Sequence, residues 1–215
     1  MIKRSTGLAL LCILSAFCAG SVGAVAVSTY TSSACGFKDT GLRACYDATA
    51  ILGSCPGLGQ SLYGQDGNFA STAKDASYTI RNPVAVSSVT VDNRTGLTWV
   101  TNPVDAEIDG TYLWDTALGV CEGLTYAGYD DWRLPKIREL LSIVDFTAGA
   151  APLINTDFFL NNASGMYWSS TSNAVGSGYP VNAWYVDFSG GSTLARANMP
   201  KASTSNYIRC VRGGP

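Results

Sequence analysis

From residue 111 onward the apolar positions repeat with the period of a helix. Trp114, Ala117, Leu118 and Cys121 stand at i, i+3, i+4 and i+7, one face of an amphipathic helix. Thr111 suits the N-cap, Asp115 the first turns and Gly123 the stop. Ile137, Leu140, Leu141 and Val144 repeat the spacing and predict a second helix, with Pro135 where a first-turn proline is tolerated. Between the helices runs Gly128-Tyr129-Asp130-Asp131-Trp132-Arg133-Leu134-Pro135. It reads as a corner: Gly128 permits the turn, Trp132 anchors it, and Asp130 or Asp131 neutralises Arg133. A calcium site is disfavoured, because two adjacent carboxylates cannot easily converge on an ion that takes roughly six to eight oxygens.

Elsewhere the period shortens to two. Val84, Val86, Val89 and Val91 suggest extended chain, and Asp92 to Gly96 has turn chemistry. Leu97 to Val100 then returns as the second arm of a hairpin. Three more strands are predicted at Met166–Thr171, Ala183–Phe188 and Asn206–Arg212. In the second, Trp184, Val186 and Phe188 alternate with Tyr185 and Asp187, as in a sheet buried on one face. Residues 146–165 read as loop with Phe158-Phe159-Leu160 as an apolar plug, and 189–205 reads as a polar connection. The pattern is α+β: two helices packed on a small antiparallel sheet with long loops. Residues 27–84 lack sustained periodicity and are broken by glycines into an irregular, cysteine-bearing arm.

The N-terminus changes the setting. Lys3 and Arg4 precede an apolar run from Gly7 to Gly20, and Ala24-Val25-Ala26 fits a cleavage site. Residues 1–26 are therefore expected to be a signal peptide, shorter in its apolar part than the ~20 residues of a membrane span. No membrane span is expected after cleavage, and the location is extracellular or cell-surface. Of 14 basic and 16 acidic residues, Lys3 and Arg4 fall in the leader, and no basic tract remains for nucleic acid. Histidine is absent, which removes Ser-His-Asp and Cys-His catalysis and histidine-ligated zinc. No enzyme activity, metal or cofactor is expected.

Seven cysteines are present, five of them beyond the leader: Cys35, Cys45, Cys55, Cys121 and Cys210. In an exported chain they read first as disulfide material. A Cys121–Cys210 bond would close a loop of about 90 residues, worth ~4–5 kcal/mol by chain entropy. Cys45–Cys55 is the preferred second pair. Cys35 is then left for an intermolecular bond or a free thiol, unless it takes Cys45 or Cys55 itself. The even ten-residue steps of the first three are too long for zinc knuckles. Asn93-Arg94-Thr95 and Asn162-Ala163-Ser164 are glycosylation sequons, the first read as turn chemistry.

Several separated motifs occur in one order: Thr95-Gly96-Leu97-Thr98-Trp99, the Trp114/Ala117/Cys121 helix, Gly128 to Pro135, Glu139-Leu140, Tyr167-Trp168-Ser169-Ser170-Thr171 and Arg209-Cys210-Val211-Arg212. Over residues 85–213 the chain resembles the Lcl C-terminal domain family of bacterial surface proteins and adhesins. The resemblance implies a C-type-lectin-like fold in which a disulfide ties the first helix to the last strand. It also implies binding, a founding member being an adhesin for sulfated glycans. The glutamate- or glutamine-proline motifs of calcium-dependent sugar-binding lectins are missing.

Candidate contacts concentrate around the last strands. Tyr179, Asn182, Trp184, Arg196, Asn198, Lys201 and Asn206 mix aromatic faces, amides and cations, which suits a glycan or a surface protein. Trp132 and Trp168 read as core anchors. Ser169, Ser170 and Thr171 read as hydroxyls that satisfy backbone groups rather than as nucleophiles. Two roles are expected in competition. One is a recognition domain acting through the 172–207 loops. The other is a subunit of an extracellular assembly that self-associates through Cys35 and the arm.

Overall fold

The computed structural model describes residues 40, 42–69, 76–84, 87–174, 180–190 and 194–213. The leader, Cys35 and Tyr179 lie outside the described residues. In the arm, Cys45 and Cys55 form a disulfide with Cα atoms 5.0 Å apart. Tyr46 bridges Ile51, and the amide of Asn68 donates to the Pro56 carbonyl. Before β1, Cys45 is the one buried residue among the described arm residues. A short 3-10 turn, Asp66–Asn68, is the one helical element among the described arm residues.

Among the described residues seven strands and two helices follow: β1 (Tyr78–Val84), β2 (Ser87–Asp92), β3 (Thr98–Val100), α1 (Trp114–Glu122), α2 (Ile137–Ser142), β4 (Met166–Ser172), β5 (Asn182–Asp187), β6 (Ala195–Pro200) and β7 (Val211–Arg212). They form two antiparallel sheets, β1-β2-β3-β7 and β4-β5-β6. The architecture is thus mostly β, with two sheets where one was expected. The predicted hairpin is β2–β3, closed by Asp92: its carboxylate accepts from Arg94 N and Thr95 Oγ1, and its carbonyl accepts from Gly96 N.

Three strand readings are corrected. The polar connection 189–205 contains a strand, β6, in which half-buried Ala195, Ala197 and Met199 alternate with exposed Arg196, Asn198 and Pro200. Its inward side chains are mostly alanines, so the period of two carries little hydrophobic contrast. Asn206–Arg212 is not one strand: Asn206 bridges Tyr112, Tyr207 bridges Tyr167, and only Val211–Arg212 joins β3. The β5 alternation fails as well, since Tyr185, Val186 and Asp187 are all buried. That strand is central in its sheet and is also packed by α2.

Both helix faces point inward as their spacing requires: Ala117 and Cys121 on α1 and Leu140 on α2 are buried. Cys121 is bonded to Cys210. Leu113, not Thr111, is the N-cap of α1, and it makes no side-chain cap. Pro135 precedes the α2 cap rather than entering the first turn, and the cap is Lys136. Two amides at the start of α2 find side-chain acceptors, one within the helix and one outside it. Glu139 accepts from Lys136 N at 2.7 Å, and Thr171 of β4 accepts from Ile137 N at 3.1 Å.

Two apolar clusters result. One joins α1, Trp132, Trp168 and the disulfide; the other joins Trp99, Leu140, Phe159, Tyr167 and Phe188. Among the described residues no helix is long and apolar enough to cross a membrane.

Two tyrosines make the second cluster sensitive to alkali. Burial pushes the Tyr78 phenol above its ordinary range, aided by the charges of Asp92 and Asp145, and burial also raises Tyr167. The unfolded chain ionises these phenols from about pH 10 upward, where the folded protein keeps them neutral. The folded state then holds more protons, so the stability is full below about pH 10 and is lost as pH rises. Tyr78→Phe is expected to flatten that fall. Urea midpoints measured from neutral to strongly alkaline pH check it, and an unchanged slope would refute the assignment.

Candidate recognition surface

The corner Gly128 to Pro135 begins with a two-residue turn. Tyr126 and Tyr129 exchange both backbone hydrogen bonds, at 3.0 Å each, across Ala127 (φ 55°) and Gly128 (φ 79°). Two successive positive φ values are the mark of a type I′ turn, and they explain the glycine. Trp132 then enters the core, 2% exposed, with Nε1 donating to the Tyr126 carbonyl. Arg133 pairs through its backbone with Val211, which extends the first sheet by one bridge.

The charges pair differently from the expectation. Arg133 makes a two-pronged contact with Glu139, at 2.7 and 2.8 Å, and reaches the Gly213 carbonyl. Asp131 instead takes Arg212, at 2.5 and 3.1 Å, and that guanidinium lies 3.7 Å from the Tyr129 ring centre. Asp130 is exposed. The sequence offered Arg133 as the one cation in the corner, whereas folding brings in Arg212 from the far end of the chain. Burial pushes the Glu139 carboxyl up, but the Arg133 hydrogen bonds and the Lys136 amide outweigh it and hold it below its usual value. Arg212 holds Asp131 low in the same way.

The hydroxyls of β4 are structural. Ser169 donates to the Trp184 carbonyl, Ser170 to the Pro135 carbonyl, and Thr171 caps α2. Trp168 is wholly buried, with Nε1 on the Tyr112 carbonyl.

The remaining candidates fall on the second sheet. Arg196 and Asn198 are exposed on β6, while Asn182 and Trp184 on β5 are half-buried. Lys201 follows β6 directly, its amide donating to the Val181 carbonyl. Its ammonium lies 4.1 Å from the centre of the Trp114 ring and donates to Ser172 Oγ at 2.8 Å. Asn206 leaves the set: it is 5% exposed, and its backbone pairs both ways with Tyr112.

Arg196 and Lys201 are five residues apart along the chain, which in extended conformation is roughly 16 Å. Arg196 and Asn198 therefore form a strip along the outer strand β6, with Lys201 just beyond its end, rather than a closed pocket. Trp114 and Ser172 belong to its end but were legible only as a helix-face residue and a strand end. The contact with Lys201 joins segments far apart in sequence.

Residues 88–212, more than half of the chain, match the family model of the Lcl C-terminal domain. The chain belongs to the Lcl C-terminal domain family. The matched region runs from within β2 to the last residue of β7. No curated protein matches the chain.

Proposed function

We propose that this protein is exported and acts at the cell surface or outside the cell as a recognition protein. On this reading its C-type-lectin-like domain binds a glycan or an extended segment of a surface protein along β6. The observation that carries the reading is the strip. Arg196 and Asn198 project from an outer strand, and Lys201 over Trp114 closes one end. A strip roughly 16 Å long suits a chain-like ligand better than a single small molecule. The two disulfides and the leader sequence support an oxidising destination.

Arg196→Ala and Lys201→Ala are each expected to weaken binding roughly two- to fivefold, as for one partly exposed charge contact. A broad glycan array and a surface-protein pull-down supply the ligand. No binding in either, or unchanged affinity in both variants, would refute the reading.

The second reading, a subunit of an extracellular assembly, is favoured by the arm. Ile51, Leu58 and Phe69 are 65%, 85% and 61% exposed there, an apolar surface of the kind that marks interaction sites. Light scattering and non-reducing electrophoresis separate the two readings, since a strictly monomeric protein is incompatible with the second.

A further inference from the structure

The sequence holds two Asp–Gly pairs, Asp66-Gly67 and Asp109-Gly110. In such a pair the side-chain carboxyl lies close along the chain to the next backbone nitrogen. Glycine adds no Cβ to obstruct the approach and leaves the backbone free to turn. The fold treats the two pairs oppositely.

Asp66-Gly67 is held. It belongs to the 3-10 turn, where Asn68 N donates to the Gln65 carbonyl and Phe69 N to the Asp66 carbonyl, both at 2.9 Å. The Asp66 carboxylate accepts from the Thr40 hydroxyl. Gly67 packs so closely on the backbone of Ala44 that a Cβ there would stand 2.6 Å from its carbonyl oxygen. Asp109-Gly110 is not held. Both residues are exposed and belong to no helix or strand. The chain is pinned before them, where Ile108 N donates to the Pro103 carbonyl, and after them, where Tyr112 pairs with Asn206. Between these points, residues 109–111 make no hydrogen bond or ion pair among the described residues. The Gly110 nitrogen is therefore free to turn toward Asp109 Cγ.

We propose that Asp109-Gly110 is a modification site, at which the folded protein converts aspartate to isoaspartate through a cyclic imide. The Gly110 nitrogen attacks Cγ of the Asp109 carboxylic acid. A C–N bond forms, the bond from Cγ to its hydroxyl breaks, and the hydroxyl leaves with the amide proton as water. Water then opens the ring. Cleavage at Cγ restores aspartate, whereas cleavage of the original peptide bond leaves Gly110 joined through Cγ and the main-chain carbonyl as a free carboxylate. No oxidant, reductant or second protein is consumed, and the net charge is unchanged. The main chain gains one carbon just ahead of Tyr112, at the foot of the segment that carries Trp114 to Lys201.

The test incubates the folded, disulfide-intact protein for weeks at near-neutral pH, and a reduced, urea-unfolded sample beside it. Proteolytic peptides are then separated and fragmented by electron transfer, which distinguishes isoaspartate from aspartate. In the folded sample the Asp109 peptide is expected to split into two species of equal mass, with a minor one lighter by one water. The Asp66 peptide should stay single there, while both should split in the unfolded sample. Asp109→Glu should abolish the second species, because the longer side chain closes a less favourable ring. Gly110→Ala should slow its formation, and its Cβ would meet only the Tyr112 ring, at 3.4 Å. Both variants should melt with the parent, so that the loss reports chemistry rather than unfolding. Equal conversion of both pairs in the folded protein would overturn the proposal, as would conversion confined to the unfolded sample or absent from both.

Discussion

Arg209→Met is expected to destabilise the domain by about 3 kcal/mol, the scale of losing buried hydrogen bonds to a charged group. Arg209 is 1% exposed. Its guanidinium donates to the carbonyls of Val100, Thr101 and Leu160, and Nε and Nη2 share the Asn162 side-chain oxygen. Every acceptor is neutral, so the charge is held by oriented dipoles rather than by a carboxylate. The Phe159 ring lies 5.6 Å from the guanidinium carbon. Burial pushes its pKa down to about 10, which leaves it charged at neutral pH.

One planar fork thus ties the end of β3 to the 160–162 loop, and an ammonium cannot reproduce its directions. Arg209→Lys should accordingly cost nearly as much as the methionine variant. Urea unfolding with a shifted midpoint and unchanged slope measures both. A lysine variant within about 0.5 kcal/mol of the parent would mean that charge alone suffices. The same bonds occupy the oxygen of Asn162, the acceptor residue of the second sequon.

Trp132→Ala is expected to cost about 3–5 kcal/mol, the range for truncating a large buried aromatic residue. Trp132 sits edge-on to Tyr126 and Tyr129, at 6.1 and 6.4 Å between ring centres. Removing it opens a cavity under the turn and takes one of the two donors from the Tyr126 carbonyl, leaving the Tyr129 amide. Trp132→Phe keeps most of the packing and loses the N–H, so about 1 kcal/mol is expected. Ligand binding at β6 should be unaffected in the folded fraction. An alanine variant as stable as the parent but unable to bind would turn the corner from a clasp into a site.

Much of the framework is written in local spacing. The faces of α1 and α2 follow from Trp114, Ala117, Leu118, Cys121 and from Ile137, Leu140, Leu141, because a helix brings i, i+3 and i+4 together regardless of the rest of the chain. The turn at Asp92–Gly96 and the glycine of the corner are equally local. Strand β6 was harder to see, since Ala195 and Ala197 bury small side chains and leave almost no contrast with Arg196 and Asn198.

By itself the sequence determined where the two helices lie, which of their faces turn inward, and where the chain reverses, because those depend on neighbours a few residues apart. Tertiary structure alone decided that Arg133 takes Glu139 while Asp131 takes Arg212, and that Thr171 caps α2. It also decided that Arg209 is buried among carbonyls and that Lys201 covers Trp114. Several of these partners are 30 to more than 100 residues apart in the chain. Spacing rules describe one element at a time, and a charge has no preferred partner until packing has set which groups lie within reach and how much water separates them.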